Sequence, residues 1–256
     1  KIEIYSENLN SEKILKFENN NECLFSIIKN DKLFNHLCQK LKKNKLFRFK
    51  KKIKNCEFII KNYDLVFNCD PNNELSKKLF FKKIRKNYKS FAHATIIHHK
   101  KITNNNIAIQ IFTKNGPFAF LPISQTETSI VYSVKNKKDL NLEGHIEKYN
   151  SRYNDKCIIT KINKPIKFEL KSLNLRSYYN NNIIAFGDNL HKLHPLAGQG
   201  FNMSLRDIKE ILELIKYKKD LGLPLDSSIF LNFEKKIKHK NYIFSKSIDF
   251  IYEYFN

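Results

Sequence analysis

The segment GDNLHKLHPLAGQGFNMSLRD, Gly187 to Asp207, constrains this chain more than any other, because it holds three of only six glycines in 256 residues. It follows the apolar run Ile183-Ile184-Ala185-Phe186, which reads as the end of a buried strand. It leads into Phe201 to Lys219, whose apolar spacing is that of an amphipathic helix. A strand, a tight Gly-Asp turn, a Pro-Gly loop and a helix N-terminus in that order form a cradle for a ligand with negative charge or ribose-like hydroxyls.

Composition narrows the class. A 41% hydrophobic content gives a chain of this length an adequate core. No run of about 18 apolar residues is present, so no spanning helix is expected, and no signal-peptide pattern opens the chain. The expected location is cytoplasmic, with peripheral contact on the inner face of a membrane. Cys23, Cys38, Cys56, Cys69 and Cys157 are odd in number and scattered without a CxxC pair. They read as reduced core thiols rather than as a disulfide framework or zinc site. The net charge of +22 invites a nucleic-acid reading. The lysines are spread throughout among many Asn and Ile, however, which is the residue bias of AT-rich codons, and no nucleic-acid partner is expected. The densest cluster, Lys40 to Lys52, interleaves Phe47 and Phe49 with charge and reads equally as an RNA face or as a helix end followed by an alternating strand.

Along the chain, residues 1–6 alternate as a strand and 14–17 as its hairpin partner. Asn30 and Asp31 are expected to cap a helix carrying Leu33, Phe34, Leu37, Cys38 and Leu41. A basic strand is expected at Leu46–Lys50, a strand or hairpin at Cys56–Lys61, and a buried strand at Tyr63–Asp70 that exits through a turn at Asp70-Pro71-Asn72-Asn73. Four short strands follow, His93–His99, Ile107–Phe112, Pro117–Ile123 and Ser129–Val134, as an antiparallel sheet of its own. Then come a helix at Leu140–Tyr149, an extended stretch at Ile166–Leu170, the strand at Ile183–Phe186, and helices at Phe201–Lys219 and Ser228–Phe255. The fold class is α/β, or mixed α+β: a chain that leaves one layer, builds a separate sheet and returns.

The opening motif resembles the second FAD-binding motif of the flavoprotein aromatic hydroxylases, most closely those of ubiquinone biosynthesis, whose pattern is close to GDAAHxxHPxAGQGxNxGxxD. Gly187, Asp188, His191, His194, Pro195, Ala197, Gly198, Gln199, Gly200, Asn202 and Asp207 fit it position by position. Gly116-Pro-Phe-Ala-Phe-Leu-Pro-Ile-Ser124 is similar to the GPxAxLPL(S/T) strand of the same family. Asp64-Leu-Val-Phe-Asn-Cys-Asp-Pro-Asn-Asn-Glu-Leu-Ser76 stands where the family has a DLVIGADGxxSxxR-like stretch, with Asp70 and Ser76 kept and both glycines replaced, by Asn68 and Pro71. In the main motif the two alanines are Asn189 and Leu190, and a helix glycine is Ser204. The GxGxxG strand-turn-helix with which the family begins, and which receives the FAD pyrophosphate, is absent, so a fragment is expected, starting inside the first domain.

The resemblance implies a FAD-binding three-layer domain lacking its first βαβ unit (residues 1–75 and 155–256), interleaved with an antiparallel-sheet substrate domain (76–154), and C-terminal helices. It implies a monooxygenase that hydroxylates a polyprenylated phenol or benzoquinol through a flavin C4a-hydroperoxide, with FAD as cofactor, NADH or NADPH as reductant, and O2 as co-substrate. Expected cofactor-binding residues are Gly187, Asp188, Pro195, Leu196, Ala197, Gly198, Gln199, Gly200, Phe201 and Asn202, with Asp70 a weaker member. Asp188 is expected on the ribityl hydroxyls, Pro195 beside flavin C4a, and the Gly198–Phe201 amides on the negative charge of reduced flavin. His191 and His194 read as structural hydrogen-bonders, because a histidine pair without a third ligand is not a zinc site. The partner expectation is a lipophilic phenol or quinol, with membrane contact or other ubiquinone-biosynthesis proteins beyond it. Two rivals remain: a truncated or diverged, non-catalytic relative that binds no FAD, and a basic nucleic-acid binder.

Overall fold

The structure, a computed structural model, describes residues 1–7, 12–19, 22–50, 56–135, 140–194 and 198–254. In chain order the elements are β1 (Ile2–Ser6), β2 (Lys13–Phe17), α1 (Asn30–Lys42), α2 (Cys56–Asn62), β3 (Val66–Asn68), α3 (Glu74–Leu79), β4 (Lys83–His99), β5 (Ala108–Thr113), β6 (Gly116–Pro122), β7 (Glu127–Lys135), α4 (Leu142–Tyr153), β8 (Ile159–Ile162), β9 (Ile166–Leu175), β10 (Tyr179–Asn180), β11 (Ile183–Ala185), β12 (His191–Lys192), α5 (Gln199–Asp220) and α6 (Ser228–Tyr254). They form two compact units, Lys1–Phe49 with Lys89–Glu169, and Lys50–Tyr88 with Leu170–Tyr254. These units differ from the expected boundaries of 1–75, 76–154 and 155–256. The N-terminal hairpin groups with the sheet because β1 runs parallel to β5, from Ile2 opposite Ala108 to Ser6 opposite Phe112.

In the first unit β4, β7, β6 and β5 form an antiparallel succession that β1 and β2 extend, and β8 pairs with β4. Period-two alternation sends Ile109, Ile111, Phe118, Phe120, Ile130 and Tyr132 into one core, where Ile146 and Tyr149 of α4 join them. The β5–β6 hairpin closes through Gly116, whose φ of 131° suits glycine, and the Thr113 hydroxyl donates to the Gly116 carbonyl at 2.7 Å.

In the second unit β10, β11 and β3 make a small sheet in which β11 and β3 are parallel, Ile183 opposite Val66 and Ala185 opposite Asn68. Ile183, Ile184, Ala185, Phe186 and Leu190 pack against Ile211 of α5 and Phe230, Phe233 and Ile237 of α6. Both helices are amphipathic, and the Gly222-Leu-Pro224 break between them falls where expected, with Gly222 at φ 66°.

Several expectations give way to packing. Leu46–Lys50 is irregular rather than a strand, and Cys56–Lys61 lies in helix α2, a reminder that a short apolar run fits either period. The expected strand Tyr63–Asp70 shortens to β3, and β4 begins ten residues before His93. The α1 helix forms where expected, but Lys29 is its N-cap, Asn30 and Asp31 sit in its first turn, and none of its residues is buried. The thiols are not all in the core either: Cys23 and Cys69 are exposed, Cys38 is partly so, and Cys157 is buried. A cysteine carries too little apolar surface for its own burial to dictate the path of a surface segment. Phe255 lies outside the described residues. Of the other aromatic positions on α6, Tyr252 is buried, while Phe250 and Tyr254 are exposed.

Candidate functional site

Two loops leave the carboxyl ends of the parallel strands β3 and β11 side by side, the place where open α/β sheets bind ligands. The backbone itself ties the two exits. Phe186 donates its N–H to the Asn68 carbonyl at 3.0 Å, and the Asn189 side-chain Nδ2 donates to the same carbonyl at 3.0 Å.

After β3 the chain turns at Asp70, whose carboxylate accepts the Asn72 N–H at 2.8 Å while its carbonyl accepts the Ser76 hydroxyl at 2.5 Å. Asn73 caps α3 by accepting the Ser76 N–H at 2.8 Å and donates to the Asn68 side chain at 2.6 Å. Asn68, standing where the related pattern has glycine, is buried and also donates to the Ser76 hydroxyl at 2.9 Å. A polar network thus occupies the space that a glycine would leave open.

After β11 a glycine is needed, because Gly187 has φ 59°, and the chain makes a single 3₁₀ turn over Gly187–Asn189. Asp188 is exposed at this turn. The departures Asn189 and Leu190 are both fully buried, so they are absorbed into the interior rather than set in front of the strand ends. Asn189 Oδ1 is buried and, among the described residues, accepts no hydrogen bond.

Pro195, Leu196 and Ala197 lie outside the described residues. On their far side Gly198 takes a left-handed conformation, φ 64°, as the N-cap of α5, with no side-chain cap and no acidic residue in the first turn. Among the described residues, no side chain takes up the first backbone N–H groups or the positive end of this 22-residue helix. Among the described residues, a Cβ built on Gly187, Gly198 or Gly200 meets nothing within 4 Å. Gln199 and Gly200 are partly exposed, and Phe201 and Asn202 are exposed.

Behind the loop lies a polar interior that sequence spacing alone does not reveal. His191 and Asp207, each 1% exposed at the side chain, meet at 2.5 Å between Nε2 and Oδ2. Asn241 of α6 donates to the other carboxylate oxygen at 3.1 Å. Asp207 raises the Tyr178 hydroxyl above the ordinary tyrosine range, second to burial itself. His194 is buried against Tyr88 and Tyr252, with ring centroids 4.9 and 4.2 Å away. Burial, and then the Lys86 charge, push its pKa down to about 4, so the ring is neutral at pH 7. Tyr88 in turn donates to the buried carboxylate of Asp249. Both histidines are thus buried and engaged, and among the described residues no group of three or more His, Cys, Asp or Glu could hold a metal. The motif spacing contains Asp207 but does not pair it with His191. Nothing in the sequence points to Asn241, and Asn73, read only as part of a turn, proves to be the N-cap of α3.

The group that fits this arrangement is a flat one with a negatively charged edge: glycines with no described side chain against them, and helix amides without a side-chain cap among the described residues. The fold is that of the flavin-dependent monooxygenases and halogenases. It superposes on the flavin-dependent brominase Bmp2 with a TM-score of 0.58 at 13% identity, covering 75% of this chain and 52% of that one. It superposes on Klebsiella pneumoniae HpxO complexed with FAD with a TM-score of 0.55 at 11% identity, covering 72% and 51%. No family model matches the chain. Among curated proteins it is 23% identical over 222 residues to the mitochondrial ubiquinone biosynthesis monooxygenase COQ6 of Danio rerio, covering 70% of this chain and 45% of that protein. It is 26% identical over 157 residues to the 3-demethoxyubiquinol 3-hydroxylase of Escherichia coli, covering 57% and 39%. Ubiquinone-biosynthesis hydroxylases are thus among its homologues, and its fold is shared with flavin-dependent enzymes. It spans about half the length or less of the curated relatives it matches.

Proposed function

We propose that this chain is the flavin-ring-facing part of a FAD-dependent monooxygenase that hydroxylates a lipophilic, polyprenylated phenol or quinol of ubiquinone biosynthesis. The observation that carries the reading is the uncapped N-terminus of α5 behind Gly198 and Gly200, opening at the carboxyl ends of two parallel strands. Bound FAD would supply the activation of O2. The chain's own residues would hold and polarise it: the Gly198–Phe201 amides would receive the negative charge of the reduced ring, and Pro195, Leu196 and Ala197 would cover its face. Asp188, exposed at the strand end, would accept ribityl hydroxyls, with Gln199 and Asn202 bordering the ring and Gly187 granting backbone access. Asp70 has a lesser part, because its carboxylate is already engaged by Asn72 N–H. Substrate contact is assigned to the antiparallel sheet, NADH or NADPH to the reductant role, and the inner face of a membrane, or other ubiquinone-biosynthesis proteins, to the surroundings of the lipophilic substrate. Among the described residues no helix is long and apolar enough to cross a membrane.

A second reading, a diverged relative that keeps the fold without FAD, is favoured by one observation. The Asn68–Asn73–Ser76 network fills a place where the related pattern has glycine. The visible spectrum of the purified protein separates the two. Flavin absorption bands that survive gel filtration support the monooxygenase. A colourless protein that takes up no FAD on titration removes it.

A further inference from the structure

We propose that Asp207 is a positioning residue for the cofactor loop. Its buried carboxylate grips His191 on the loop's entry and Asn241 on α6, and so fixes where the N-terminus of α5 stands. The inference rests on the monooxygenase reading only for what the loop holds; the clamp itself is geometry.

The described ends of this loop carry few backbone ties. Its entry strand β12 is two residues long, pairs with β9 at His191–Asn174 and Lys192–Leu173, and is preceded by the Leu175 N–H to Leu190 carbonyl bond at 3.1 Å. Its exit is the uncapped start of α5. Sixteen residues separate His191 from Asp207, and their side chains close that span directly at 2.5 Å. Asp207 lies four residues after Met203 and four before Ile211, and all three are buried, so helical periodicity delivers the carboxylate to the core face of α5. It sits two turns, about 10 Å, below Gly200. A slide or rotation of the helix that would move the loop amides by about 1 Å must break the His191 contact.

Stability does not account for such an arrangement. A buried charged pair is often no better for stability than an apolar pair of the same volume, because desolvation offsets the attraction. Directionality is what an apolar pair lacks. Leucines at these positions would tolerate a range of helix heights, whereas a carboxylate with one donor on each oxygen tolerates few. Asn241 stands on α6, so the grip extends from β12 through α5 to α6. His194, wedged against Tyr88 and Tyr252, gives the entry a second anchor three residues further on.

The test is a double-mutant cycle on the full chain, with Asp207→Asn, His191→Gln and the pair together. Two quantities are read: FAD affinity with the visible circular dichroism of the bound flavin, and amide hydrogen exchange. The expected result is that each single variant weakens FAD binding and speeds exchange at Met203–Asp207, the first bonded turn of α5, about ten-fold or more. Exchange at Ile183–Ala185 of β11 should stay unchanged, and the pair should be no worse than the poorer single. Additive effects overturn the clamp. So does loss of protection in the same proportion in β11 and α5, which marks a merely structural pair. If Asp207→Asn does not fold, His191→Gln alone decides through the same ratio of α5 to β11 exchange. If the wild-type chain binds no FAD, the monooxygenase reading falls and the exchange ratio still judges the clamp.

Discussion

The two units bury different chemistry. The sheet unit is filled by Phe118, Phe120, Tyr132, Tyr149 and aliphatic residues, with Phe118 lying 4.9–5.1 Å from the three other rings. Its buried polar groups are neutral hydroxyls and amides together with His99, which is satisfied by Thr128 and the Lys100 carbonyl. The helical unit buries the carboxylates of Asp207 and Asp249, both motif histidines, Asn68 and Ser76. Apolar packing gives stability cheaply but leaves small slippages unpunished. Directed polar contacts cost desolvation and hold a geometry. The difference teaches where this molecule needs position rather than mere cohesion.

The comparison breaks first on the sheet side. Phe118→Ala removes a fully buried ring from the centre of an aromatic cluster and should cost about 3–5 kcal/mol of unfolding free energy. Urea unfolding followed by tyrosine fluorescence measures it. A loss below about 1 kcal/mol would mean that this core collapses around the gap and that packing does not specify the sheet.

On the helical side the sharper probe is pH. His194 has a folded-state pKa of about 4 against an ordinary value of 6.5, so between those values the unfolded chain binds more protons than the folded one. Stability attributable to this ring is therefore complete above about pH 6.5 and declines as pH falls toward about 4, by up to about 3 kcal/mol. Urea midpoints at pH 7 and pH 5 should show a drop in the wild type that shrinks in His194→Gln. An equal drop in both would place the acid sensitivity elsewhere and weaken the view that this unit's interior is tuned polar.

Much of this was legible from residues. Alternation gave β5, β6 and β7 within a residue or two, and α5 and α6 followed from apolar spacing, because long periodic segments bury one face whatever their neighbours do. The glycines located the loop, and Gly187 and Gly198 do carry positive φ. What stayed hidden depends on partners distant in sequence. Val66–Asn68 is a strand only because β11 lies beside it, and Cys56–Asn62 is helical because Ile60 packs on the core that includes Ile183 and Phe186. The apolar spacing of α1 correctly implied a helix but not burial, since periodicity states which face is apolar and not what covers it. In the same way the motif contained both His191 and Asp207, but their meeting requires β12, α5 and the support of α6, none of which spacing encodes.

The smallest test concerns the Asn68–Asn73–Ser76 network, where the chain departs from the related glycine pattern. Asn73→Ala removes the N-cap acceptor of α3 and strips the buried Asn68 amide of one donor and one acceptor, while the Ser76 hydroxyl still accepts from Asn68 Nδ2. The cap alone is worth about 1 kcal/mol, and the orphaned amide adds a comparable amount, so a loss of about 1–2 kcal/mol in thermal or urea unfolding is expected. Asn68→Gly should instead be tolerated better than its burial suggests if the network merely fills space left by a lost backbone approach, because Asn73 keeps its cap to Ser76 N–H. The two variants read together decide what the departure means. A costly Asn73→Ala with a mild Asn68→Gly marks a filled ligand cleft that can be reopened, and the glycine variant should then gain FAD affinity. Equal costs with no gain in affinity mark Asn68 as part of the interior that holds β3 to β11 and extend the polar character of this unit to the second loop.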